Sequence, residues 1–157
     1  MSEMKKYIFM YIPLLLVCSC QVNNTERFYC SQFMSYLQEM KIDVSDTEYY
    51  YAVHMQGCNT CISSSIAFIN DLPSTIKERM LVLFVGDYIG NDIECFKSIE
   101  ILKNEISYIE DSHQKIFNYQ TGFAYPLFIK IKNGKCKMYE EMVNEKYSDT
   151  KLLQKLE

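Results

Sequence analysis

Residues 48–71, EYYYAVHMQGCNTCISSSIAFIND, decide the fold. Residues 48–55 are rich in aromatics, the composition of a strand. Gln56-Gly57 breaks that run, and Cys58 opens a segment to about Asp71 in which Ile62, Ile66 and Ile69 recur at helical spacing. The strand therefore runs almost directly into a helix, with Cys58-Asn59-Thr60-Cys61 at the junction. A helix N-terminus has unpaired N–H groups and a positive dipole end, and both favour thiolate over thiol. The thiolate is the attacking species in thiol-disulfide exchange. Cys61 follows three residues later, nearly one turn on, so its sulfur can reach back to Cys58. Cys58 is the candidate catalytic nucleophile and Cys61 the candidate resolving thiol. With seven cysteines in 157 residues, chance alone supplies roughly 0.3 C-x-x-C pairs. The position of the motif therefore matters more than its spacing.

Outward from this stretch the pattern alternates. Residues 80–85, MLVLFV, form a continuous apolar run, expected for a central strand buried on both faces. Residues 92–104 carry Ile93, Phe96, Ile99 and Leu102 on a helical period, with Cys95 beside them as a small core residue. A short strand is expected over 106–109 and a short helix over 112–119, with Ser112 as N-cap and His113 exposed. Residues 126–131 and 135–142 flank Asn133-Gly134, a strong hairpin signal. A leading helix over 26–40 would bury Phe28, Phe33, Met34, Leu37 and Met40, and an amphipathic helix over 148–156 closes the chain. A β-α-β start implies a right-handed crossover and parallel pairing. The expected fold class is α/β: a mixed central sheet with helices on both sides.

Composition narrows the function classes. Hydrophobic residues make up 48% and charged residues 23%, so the body can bury a core. Net charge is −4 with no long basic run, which argues against nucleic acid as a partner. Lys5 and Lys6 precede an uncharged, mostly apolar stretch over 7–17, too short for an ordinary spanning helix and typical of a signal peptide; Met4 is the cleaner candidate start. Val17-Cys18-Ser19-Cys20 resembles a bacterial lipobox, and that resemblance implies lipidation of Cys20 as the mature N-terminus. The competing reading is a buried apolar first helix with two packed cysteines, disfavoured by the polar stretch Gln21-Val22-Asn23-Asn24-Thr25 that follows. The expected organisation is a signal peptide over 1–19, a tether and leading helix over 20–47, and the α/β domain that carries the C-x-x-C over 48–157. The expected location is the bacterial cell envelope, lipid-anchored and facing the periplasm. Outside the cytoplasm disulfides persist. Removing Cys18 with the signal and Cys20 to lipid leaves Cys30, Cys58, Cys61, Cys95 and Cys136, an odd set in which one stays free if all pairing is internal.

Phe123-Ala124-Tyr125-Pro126-Leu127-Phe128-Ile129 completes the pattern: a proline opening an apolar strand shortly before a hairpin. Strand, C-x-x-C helix, apolar strand, helix, short strand, helix, then proline before a hairpin resembles the thioredoxin-like superfamily. The chain is most similar to its exported, membrane-tethered branch, over about 48–157. The resemblance implies that Cys58 and Cys61 exchange disulfides with client proteins and that a redox partner supplies or removes electrons. It also implies that Pro126 is cis and faces the C-x-x-C, and that Tyr125 borders the substrate groove. No cofactor and no metal are implied. This sequence departs from the family at three places. Gly57 stands where many members have Trp, Asn59-Thr60 replaces Gly-Pro, and Ala52 takes the place of the buried acid. These changes leave the direction of exchange open.

The alternative is a thioredoxin-fold lipoprotein that binds a partner and uses its disulfide only for stability. A zinc knuckle would need a second C-x-x-C or a matching His pair, and neither is present. Haem attachment would need His after Cys61, where Ile62 stands. His54, in the strand four residues before Cys58, is a strand histidine or a tuner of the thiolate.

Overall fold

The structure is a computed structural model that describes residues 24–143. The expected signal peptide, Cys20 and the closing helix lie outside the described residues. In chain order the elements are α1 (Asn24–Glu39), β1 (Tyr49–His54), α2 (Asn59–Asp71), α3 (Ser74–Lys77), β2 (Met80–Val85), α4 (Ile93–Lys103), β3 (Ser107–Asp111), a 3-10 turn (Lys115–Asn118), β4 (Leu127–Lys132) and β5 (Lys135–Glu141). The strands form one five-stranded sheet in the order β3-β2-β1-β4-β5. β1, β2 and β3 are parallel, whereas β4 runs antiparallel to β1 and to β5. This is the expected α/β class, a thioredoxin-like mixed central sheet with flanking helices.

β1 lies in the middle of the sheet, so both its faces are covered. Tyr49, Tyr51 and Val53 point into a core shared with Ile62, Ile66 and Ile69 of α2 and Ile99 and Leu102 of α4. Tyr50 and Ala52 point the other way, into a core closed by Phe33, Tyr36 and Leu37 of α1 and by Ile116. The period-2 alternation of the strand thus serves two apolar layers. α1 is part of the packed body rather than a tether alone. The hairpin turns through Asn133 (φ 54°) and Gly134 (φ 66°), both left-handed as a tight two-residue turn demands.

Several expectations are corrected in detail. Phe28 is exposed, and the buried row of α1 is Cys30, Phe33, Tyr36 and Leu37. Ile93 and Phe96 are exposed too, because the row that faces α2 and the sheet is Cys95, Ile99 and Leu102. Residues 112–119 do not form a helix capped by Ser112. Gln114 takes a left-handed conformation (φ 53°), and only the 3-10 turn follows. Its cap is the buried Asp111 carboxylate, which accepts from Lys115 N at 2.9 Å and Ile116 N at 3.0 Å.

The Tyr125–Pro126 bond is trans, against the cis expectation. The chain turns before the proline: Ala124 N donates to Gly122 O at 2.9 Å and Gly122 has φ +68°. The proline then enters β4 extended, its carbonyl accepting from Met142 N at 2.7 Å. With the reversal already made, the intrinsic trans preference of about 0.5–1 kcal/mol is unopposed.

Candidate active site

β1 ends in a turn that fixes where Cys58 sits. Met55 N donates to Val85 O at 2.8 Å, continuing the parallel ladder past the strand end, and Gly57 N closes back on His54 O at 3.1 Å. A β-carbon on Gly57 would lie 2.9 Å from that same His54 carbonyl oxygen. Backbone crowding of this kind explains a glycine at this position.

Cys58 is the N-cap of α2, with an extended backbone (φ −72°, ψ 138°) and a sulfur that accepts from Cys61 N at 3.1 Å. It therefore occupies the position where serine or aspartate commonly satisfies the first free N–H groups. Cys58 and Cys61 are disulfide-bonded, their Cα atoms 5.3 Å apart. Cys58 is exposed and Cys61 half-buried. On reduction, the outer sulfur is the solvent-exposed one and has a backbone N–H pointed at it, which favours its thiolate.

Side chains from neighbouring elements hold the motif. Behind Cys61, the Tyr51 hydroxyl donates to Ser65 Oγ at 3.0 Å, and the Ser65 hydroxyl donates to Cys61 O at 2.7 Å. Tyr51 and Ser65 are both buried. The Tyr88 hydroxyl reaches Asn59 Oδ1 at 3.5 Å and Asp92 O at 3.3 Å. Gln114 Nε2 donates to Gln56 Oε1 at 3.0 Å, across the face of Gly86. Neither Tyr51, Ser65 nor Tyr88 is visible as a site residue in the sequence. The one available signal was Ser65 standing four residues after Cys61, the spacing of a hydroxyl that bonds back to the preceding turn.

Ala52 of β1 is buried. Among the described residues the buried carboxylates are engaged elsewhere. Glu48 pairs with Arg79 at 2.6 Å before β1 begins, and Asp111 accepts from Tyr36 Oη at 3.2 Å as well as from the 3-10 turn. His54 packs edge-on against Phe117 (5.3 Å between centroids) and Phe123 (6.2 Å). Its Nε2 is buried with no hydrogen-bond partner among the described residues, and burial holds its pKa below the usual histidine value. His113 is exposed.

Leu127 pairs with Ala52, so Pro126 enters the sheet toward the same end of β1 that Cys58 follows. Pro126 is buried and Tyr125 exposed. Cys30 and Cys136 form a second disulfide, and Cys95 is the free, buried thiol.

Among the described residues no group of three or more His, Cys, Asp or Glu is placed to hold a metal ion. Two open grooves of about 500 and 570 Å³ are lined by residues such as Arg79 and Lys132 or Arg27 and Lys135, not by the Cys58–Cys61 pair. The Cys58–Cys61 disulfide lies at the surface, with Cys58 exposed. No protein-family model, curated protein or solved structure matches this chain.

Proposed function

We propose that this protein is a membrane-tethered thiol-disulfide oxidoreductase acting on exported proteins through Cys58 and Cys61. The observation that carries the reading is an exposed Cys58 sulfur at the N-cap of α2, accepting the Cys61 N–H and bonded to a half-buried Cys61. In the reducing direction the Cys58 thiolate attacks a client disulfide and releases one client thiolate. The Cys61 thiolate then attacks the Cys58 sulfur of the mixed disulfide, and the second client thiol leaves as the Cys58–Cys61 bond closes. A redox partner returns two electrons and two protons. Running in reverse, the same steps oxidise a client dithiol. Pro126 and Tyr125 border the client segment in this reading. No cofactor is called for.

The tether is lipid on Cys20, in the cell envelope on the periplasmic side. Two disulfides suit an oxidising compartment. Among the described residues no helix is long and apolar enough to cross a membrane, so anchoring would fall to the leader.

A second reading, a binding module with a purely structural disulfide, is favoured by the trans Tyr125–Pro126 bond. The redox midpoint of the Cys58–Cys61 pair separates the two. A catalytic pair is reducible by biological dithiols, whereas a structural one lies below about −300 mV. Cys61→Ser should accumulate mixed disulfides with clients on non-reducing gels, and Cys58→Ser should accumulate none. A midpoint in the structural range with no trapped client would overturn the enzyme reading.

A further inference from the structure

Both backbone polar groups of Cys61 are engaged, and in opposite directions. Its N–H points outward to the Cys58 sulfur at 3.1 Å. Its carbonyl points inward and accepts the Ser65 hydroxyl at 2.7 Å, which in turn accepts the Tyr51 hydroxyl at 3.0 Å. Tyr51 is on β1, the strand that delivers the motif, and is wholly buried; Ser65 is at 1% exposure. Two hydroxyls of this kind sit in an apolar layer otherwise made of Val53, Ile62, Ile66, Phe68 and Phe128. Burying them is costly unless they bond each other and a third group. The third group is the redox motif itself.

We infer that Tyr51 and Ser65 are positioning residues for the redox pair: their hydroxyl chain clamps the Cys61 carbonyl and so keeps the Cys61 N–H aimed at the Cys58 sulfur. The inference rests on reading Cys58 and Cys61 as the exchanging pair. In the oxidised protein the clamp costs nothing to keep, because the disulfide already fixes the turn. In the reduced protein the covalent link is gone, and the clamp is what holds the N–H on the thiolate. It therefore stabilises the reduced form selectively. Donation from Tyr51 polarises the Ser65 hydroxyl and strengthens its own bond to Cys61, so the two act as a unit.

The experiment uses the full chain with the Cys30–Cys136 bond intact. Alkylation of Cys58 by iodoacetamide is followed against pH in the reduced protein, and the Cys58–Cys61 pair is equilibrated with glutathione buffers. His54, the titratable side chain of β1 nearest the motif, is unchanged in every variant. Tyr51→Phe and Ser65→Ala should each slow Cys58 alkylation at pH 6.5 by about threefold, the worth of one neutral hydrogen bond. Each should also shift the glutathione equilibrium about threefold toward the disulfide. Ser65→Thr, which keeps the donor, should stay within the parent's range. Phe68→Leu is the structural control: its ring lies 5.7 Å from the Tyr51 ring, so it loosens the same layer without removing a hydroxyl. It should lower the unfolding midpoint and leave alkylation and equilibrium unchanged. Parent-like values in Tyr51→Phe and Ser65→Ala, or an equal shift in Phe68→Leu, would overturn the clamp. If the parent engages no client, the functional reading fails on its own, while the alkylation profile and the glutathione equilibrium still decide the clamp.

Discussion

The two disulfides stand toward opposite ends of the sheet, and they differ in span and exposure. Cys58–Cys61 follows the C-terminal end of β1, closes a three-residue separation and leaves Cys58 exposed. Cys30–Cys136 lies toward the other end, where Ile131 N bonds to Glu48 O at 2.8 Å and Cys136 pairs with Ile131. It joins α1 to β5 across 106 residues, with Cys30 buried among Phe33, Tyr36 and Leu37. The same covalent bond thus restrains almost nothing in one place and most of the described chain in the other. Loop-closure entropy is where that difference acts. It gives about 4.7 kcal/mol for a loop of roughly 100 residues and about 2 kcal/mol or less for a loop this short. The local bond is a weak staple, and its outer sulfur, Cys58, is open to solvent; under the proposed function that makes it the reagent of the two.

The largest expected effect breaks the comparison directly. Cys30→Ser with Cys136→Ser should lower unfolding free energy by about 4–5 kcal/mol while leaving the alkylation profile of Cys58 unchanged. Cys58→Ser with Cys61→Ser should cost about 2 kcal/mol or less and abolish exchange. Urea unfolding of the oxidised proteins, with alkylation of their reduced forms, checks both. Equal losses from the two pairs would mean that the division of labour is wrong.

A smaller effect sharpens it. α1 is held at a second point, where the Tyr36 hydroxyl donates to Asp111 Oδ2. Burial and the neighbouring carboxylate hold the Tyr36 pKa far above its usual value, so the phenol stays a donor. Asp111→Ala would leave that hydroxyl and the N–H groups of Lys115 and Ile116 without their acceptor. The expected loss is about 2–4 kcal/mol, read by urea unfolding. Tyr36 and Cys30 are six residues apart on one helix, about 9 Å along its axis. The loss should therefore add to that of the Cys30–Cys136 variant to within about 0.5 kcal/mol. Strong non-additivity would show that α1 docks as one unit.

What was legible in the sequence was what depends on neighbours along the chain. The strand at β1, the apolar run of β2, the helix opened by Cys58 and the Asn133-Gly134 turn all follow from local composition and period, and the α/β class follows from their order. Burial rows were less legible. The rows of α1 and α4 keep Phe33, Leu37, Ile99 and Leu102 from the expected stripes, but Cys30, Tyr36 and Cys95 complete them while Phe28, Ile93 and Phe96 remain exposed. Contacts between distant residues were not legible at all. Asp111 is an ordinary acid until Tyr36 and the 3-10 turn meet on it, and Tyr51 is one tyrosine among 13 until Ser65 lies above it. The trans bond before Pro126 belongs to the same group, since it depends on where the chain has turned earlier. Cysteine pairing was bounded by parity, and only the fold distinguishes Cys95 from Cys136.

The smallest expected effect tests whether the Cys58 end carries a titrating group that the other disulfide lacks. His54 is packed between Phe117 and Phe123, and burial lowers its pKa from the ordinary 6.5. Above pH 6.5 the ring is neutral in both folded and unfolded chains, so it has no effect on the slope. As pH falls through 6.5 the unfolded chain takes up a proton that the folded chain refuses. The unfolded state then binds more protons, and stability falls with pH until the folded-state pKa is passed. His54→Phe keeps an aromatic ring in the same layer and removes the site. Parent and variant should therefore have parallel stability profiles above pH 7 and diverge below about pH 6.5, with the parent falling faster. Carboxylates titrating in the same range are common to both proteins and cancel in the difference. The effect should be small, because His54 is only half-buried. Unfolding midpoints in urea, taken in half-unit steps from pH 8 to 5, measure it; curves that remain parallel throughout would mean that the ring takes up its proton in the folded protein as easily as in the unfolded one.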